Sequence, residues 1–141
     1  MLDMLPMSLQ IKICRNYSHL SRTSQLSTVI SVLVLFRNTC AHNDRLYNYR
    51  SNKVELPPLR LHKELGLIRL PSGNFKQGKQ DLFAVIIALR YLLENTNFTS
   101  FFAKLTEIIT NHPDNSIFTK TELLKDMGFP TNWQEVAVLP V

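Results

Sequence analysis

Apolar residues recur through the middle of this chain at helical rather than alternating spacing. Leu26, Val29, Val32, Leu33, Phe36 and Cys40 fall along one stripe, which predicts a helix buried on that side. One of Ser21, Thr23 or Ser24 is expected to cap its start. The β-branched run Val29–Val34 would also suit a strand, but its apolar residues do not alternate cleanly and no hairpin turn flanks it. A second helix is predicted over Leu82–Glu94, with Asp81 as N-cap and almost no polar face, so it should lie at the centre. A turn at Asn95–Asn97 leads to a third helix, Phe98–Asn111, striped by Phe98, Phe102, Leu105 and Ile109 and ended by His112-Pro113. Thr119 and Glu122 form a capping box for a short helix that Gly128 closes, and Trp133 should dock on the bundle.

Two regions carry weaker patterns. Residues 1–20 stay unassigned, with Ser8–Leu20 as a short-helix option. Residues 48–80 contain Pro57-Pro58, Pro71, Gly66, Gly73 and Gly78, which forbid a long helix and predict a long loop holding a turn or two of helix at Leu61–Leu67. Loops of that length are usually functional or mobile. The sum is a single all-α domain over residues 1–141, a bundle of about four to five helices.

Composition adds a soluble class, with 45% hydrophobic and 19% charged residues. The oily run Val29–Phe36 is far shorter than the about 20 residues that span a bilayer, so no membrane association is expected. No signal or transit peptide is evident, and Cys14 and Cys40 are too few for a disulfide framework. They read as small core residues of a cytoplasmic protein. Charge is more informative. Between residues 50 and 79, seven basic residues (Arg50, Lys53, Arg60, Lys63, Arg69, Lys76 and Lys79) face Glu55 and Glu64, which accounts for the whole net charge of +5. A polyanion would touch the protein there.

Candidate chemistry sits where the oily run ends, in Arg37-Asn38-Thr39-Cys40-Ala41-His42-Asn43-Asp44-Arg45-Leu46-Tyr47-Asn48. At about 100° per helical residue, Asn38, His42 and Arg45 fall within about 60° of one another, with Arg37 at the edge of that sector. Histidine moves protons near neutrality and arginine clamps a phosphate with a planar fork. Structural roles stand beside these: His42 donating to a helix-end carbonyl, Arg37 pairing with Asp44, and Arg45 and Asn48 capping the helix. Tyr47 and Tyr49 could stack on bases or pack at the rim. His19, His62 and His112 have no metal-ligand spacing, so neither metal nor cofactor is expected.

The stretch Arg37 to Asn48, an Arg–x4–His followed by a second Arg and an aromatic-Asn pair, resembles the signature of the Abi-like proteins, abortive-infection factors within the HEPN superfamily. Asp81-Leu82-Phe83 and Met127-Gly128-Phe129-Pro130 also resemble the C-terminal portion of that family, so the similarity covers roughly residues 20–141. Tyr47 stands where many relatives carry Trp. The resemblance implies an HEPN-like helical bundle and a metal-independent endoribonuclease, with Arg37, His42 and Asn38 as catalytic residues and two copies meeting in a homodimer. Arg45, Asn48, Arg50, Lys53, Arg60 and Lys63 would hold the RNA backbone, the last four as part of a basic strap. An antitoxin protein is a further possible partner. The alternatives are a non-catalytic RNA- or protein-binding module, and a truncated remnant.

Overall fold

The computed structural model describes residues 2–17, 19–42, 44–113 and 119–141. Asn43, in the polar stretch, lies outside these residues. Among the described residues there are six α-helices: α1 (Met7–Cys14), α2 (Thr23–Ala41), α3 (Arg60–Glu64), α4 (Leu82–Leu92), α5 (Asn95–Asn111) and α6 (Lys120–Asp126). Short 3-10 helices, Leu2–Met4 and Trp133–Ala137, lie near the two ends. The described residues include no strand, only an isolated antiparallel bridge between Arg69 and Phe75. The fold is all-α, as the helical spacing predicts. None of these helices is long and apolar enough to cross a membrane.

The core forms where α4 lies against α2. Phe83, Ala84, Ile86, Ile87, Ala88 and Tyr91 of α4 are buried, which places this helix at the centre as its nearly unbroken apolar sequence requires. Asp81 caps it, accepting from the Ala84 N–H at 3.0 Å. From α2 come Leu26, Val29, Val32, Phe36 and Thr39. Trp133 packs against Phe129 and Phe102, so the C-terminal segment closes the bundle.

Several boundaries differ from the sequence expectation. No side chain caps α2: its N-cap is Arg22, Thr23 is already helical, and the Ser21 hydroxyl donates to Gln25 instead. The Asp3 carboxylate, accepting from the Ser27 hydroxyl at 2.6 Å, ties the N-terminal turn to α2. Asn95–Asn97 are the first turn of α5 and not a loop, because extended Leu93 and the N-cap Glu94 make the whole bend. The Thr119–Glu122 capping box is present as expected.

The largest difference is in residues 48–80. This segment is a packed layer: Leu56, Leu59, Leu61, Leu65, Leu67 and Phe75 are all buried in the core. His62 pins it. Its fully buried ring accepts from the Leu59 N–H through Nδ1 (3.1 Å), donates from Nε2 to the Gly78 carbonyl (2.7 Å) and stacks on Phe75 at 4.8 Å. The Asp81 carboxylate accepts from the Gly78 N–H on the other side, so one glycine joins two buried titratable groups.

These groups predict opposing pH dependences. Burial holds the His62 imidazole below its ordinary 6.5, and the positive charge of Lys79 adds to that shift. Protonation would also place a second N–H against the Leu59 donor. The stability this gives is complete above pH 6.5 and is lost as pH falls below it. Burial pushes Asp81 up from 3.8 to about 6, so its contribution is present in acid and is lost as pH rises through about 6. His62→Gln keeps only the second effect. Its melting temperature should lose the acid-side decline that His62 imposes below pH 6.5; a decline as steep as in the parent protein would contradict this account.

Candidate functional site

The polar stretch begins on the last turn and a half of α2. Phe36 and Thr39 turn inward there, and Thr39 tolerates burial because its hydroxyl donates to the Leu35 carbonyl at 3.1 Å. Cys40, expected in the buried stripe, is exposed. The centre of the packed face runs through Val32, Phe36 and Thr39, and Cys40 falls at its rim; Cys14, the other expected core cysteine, is half-buried.

The helix stops at Ala41, and His42 is its C-cap, with φ −90° and ψ 8°. Arg45 and Asn48 are therefore not on the helix with Asn38, and the shared sector expected for Asn38, His42 and Arg45 does not form as a helical face. The Asp44 N–H instead reaches back to the Thr39 carbonyl at 3.2 Å, a wide closing bond that turns the chain away from the axis. Tyr49 then folds back, half-buried, its ring edge-on to Phe36 at 5.1 Å. It packs at the rim, while Tyr47 is exposed.

This geometry brings some of the expected residues together and separates others. Arg37 donates from Nη1 to the Asn38 side-chain oxygen at 3.1 Å, so these two form a unit. Arg37 is not paired with Asp44 among the described residues, and the His42 ring has no hydrogen-bond partner there. Both side chains are exposed, next to exposed Arg45, Tyr47 and Asn48. A guanidinium, an amide and an imidazole stand at the end of a helix whose other face is anchored in the core.

Of the basic segment, six of the seven side chains are exposed, and Lys79 is buried against Glu55 at 3.2 Å. Three of the exposed ones have work inside the fold, among them Arg69, whose guanidinium lies over the Phe75 ring at 4.9 Å. Arg50 donates to the Asp126 carbonyl at 2.7 Å and to the Tyr49 carbonyl at 3.0 Å, which satisfies the C-terminal end of α6. Arg60 pairs with Glu64 at 3.2 Å along α3. Lys53 and Lys63 have no partner among the described residues and are the free cations of the expected strap.

Residues 1–48 match the family model described as Abi-like protein. Over these residues the chain is similar to the Abi-like proteins. The match takes in α1, α2 and the whole stretch from Arg37 to Asn48, and it ends before the basic segment. It thus reaches further toward the N-terminus than the motif resemblance, which begins near residue 20, and does not extend over Asp81–Phe83 or Met127–Pro130. No curated protein and no solved structure matches the chain. The Abi-like match supports an abortive-infection-related role, and the all-α bundle agrees with the wider HEPN assignment.

Proposed function

We propose that this protein is a metal-independent endoribonuclease, an abortive-infection effector or toxin that cleaves RNA at a site shared by two copies of the chain. The observation that carries the reading is the pairing of Arg37 with Asn38 next to an exposed His42 that has no hydrogen-bond partner among the described residues, within the stretch similar to Abi-like proteins. RNA supplies its own nucleophile, the 2′-OH. Attack on the neighbouring phosphorus forms a 2′,3′-cyclic phosphate and breaks the bond to the 5′-oxygen. One imidazole takes the 2′-OH proton and a second protonates the leaving oxygen. Arg37 holds the phosphate and stabilises the charge that develops on it, and Asn38 fixes the guanidinium. Each chain offers one such imidazole in this stretch, so the second comes from another copy. Arg45, Asn48, Lys53 and Lys63 then hold the flanking backbone.

The test is cleavage of a labelled RNA in EDTA. Products ending in 2′,3′-cyclic phosphate are expected, and a single 2′-deoxy substitution at the scissile position should abolish cleavage there. A requirement for divalent metal, or cutting at the deoxy position, would sink the mechanism. Salt-sensitive RNA binding without any cleavage would favour the non-catalytic module.

A further inference from the structure

A groove of about 480 Å³ lies away from the Arg37–His42 stretch, between the turn after α3 and the segment that follows α6. That is the size range of sites for small organic ligands. Its floor is apolar, from Leu67, Leu124 and Phe129. Two amides on its wall have fixed orientations. Gln77 donates its NH2 to the Phe129 carbonyl (3.3 Å), and Asn132 donates its NH2 to the Leu65 carbonyl (3.2 Å) and to Glu135 (2.9 Å). With both NH2 groups so held, the two amide oxygens are acceptors with no hydrogen-bond partner among the described residues. The Thr121 hydroxyl and the Lys125 ammonium, also among the lining residues, have no hydrogen-bond partner among the described residues, though the Lys125 charge acts on the neighbouring Glu122.

An apolar slot with two fixed acceptors and a cation suits a flat heterocycle that carries an exocyclic amine and is joined to a phosphate. The surroundings point to the same ligand. One wall belongs to the segment that holds the chain's whole positive excess. Arg50, two residues beyond Asn48, bonds to the carbonyl of Asp126, whose neighbour Lys125 lines the groove.

We propose that the groove is a base-selective RNA subsite, which takes one unstacked amine-bearing base, such as adenine or cytosine, and places its phosphate at Lys125. This deepens the RNA-cleaving reading and rests on it for the identity of the polymer. The test uses 2′-O-methyl oligonucleotides A8, C8 and U8, which cannot be cut by 2′-OH attack, with binding followed by fluorescence anisotropy on the full chain. A8 and C8 should bind about tenfold more tightly than U8, which offers no amine to the two acceptors. Thr121→Trp, at an exposed position, fills the groove and should erase that preference while leaving weak, salt-sensitive binding. Lys125→Ala should weaken all three oligonucleotides alike.

Equal binding of A8, C8 and U8, or a preference that survives Thr121→Trp in a variant that melts like its parent, would overturn the proposal. Those results would leave the slot to an apolar peptide side chain. Cleavage of unmodified RNA is scored separately on the same preparations. Base preference without cleavage upholds the subsite and contradicts the nuclease; cleavage without base preference does the reverse.

Discussion

His42→Ala is expected to lower RNA cleavage by roughly 10²–10⁴-fold, the range typical for loss of a positioned proton-transfer group. Protein stability should hardly move. The His42 ring is exposed and has no hydrogen-bond partner among the described residues, so its truncation should cost less than about 0.5 kcal/mol. This combination separates chemistry from structure. A histidine that merely closes the helix end would give the opposite pattern, a lower melting temperature with cleavage intact. Arg37→Lys is a companion: it keeps the charge, loses the planar fork, and should still impair cleavage. Initial rates in EDTA and a thermal melt of each variant read both quantities.

Gly128→Ala should have the largest effect on stability. Gly128 follows α6 with φ +81°, where the Phe129 N–H bonds to the Leu124 carbonyl and the Gly128 N–H to the Lys125 carbonyl. A side chain in that conformation costs about 1–2 kcal/mol by itself. Here it would also overlap the Asp81 carboxylate. Moving Asp81 removes the cap of the central helix, worth about 1 kcal/mol or more. The Gly78 N–H would lose its partner as well. A total of about 3 kcal/mol, or on the order of 10 °C in melting temperature, is expected. Gly66→Ala is the control. Gly66 has φ +62°, but an added methyl there meets nothing within 4 Å, so only the conformational cost remains. Equal melting temperatures for the two variants would refute the contact with Asp81 as the cause.

These two predictions rest on parts of the protein that were unequally legible in the sequence. The apolar stripe of α2, the central place of α4, the Asp81 cap and the Thr119–Glu122 box are local, and period and capping chemistry predict them. The contact between Asp81–Phe83 and Met127–Pro130 is not local. The Phe83 N–H bonds to the Met127 carbonyl and the rings of Phe83 and Phe129 meet at 5.0 Å, across more than 40 residues of sequence. Each stretch carries its own capping signal, but nothing in either says that they touch.

The candidate site divides in the same way. That Arg37, Asn38 and His42 lie at a helix end follows from where the oily run stops. The early end at Ala41, which leaves Arg45 off the helix, goes with contacts distant in sequence, the Tyr49 ring on Phe36 and the Arg50 guanidinium on the Asp126 carbonyl. The basic segment reads as a loop because its prolines and glycines mask an apolar residue every few positions. Those residues are what pack. His62 gave no sequence signal, since its partners are backbone groups of Leu59 and Gly78. The acceptors of the groove depend on bonds between Gln77, Asn132 and distant carbonyls, which no spacing encodes.

The central claim is that one site is built from two copies, each supplying one His42. The most direct test mixes intact and His42→Ala chains, coexpressed or refolded together so that subunits exchange, at constant total concentration. If both imidazoles are required, only dimers of two intact chains cut, and the rate falls as the square of the intact fraction. An equal mixture should then show about a quarter of the full rate. A rate that falls in simple proportion, with about half remaining at equal mixture, would mean that each chain acts alone and would contradict the account.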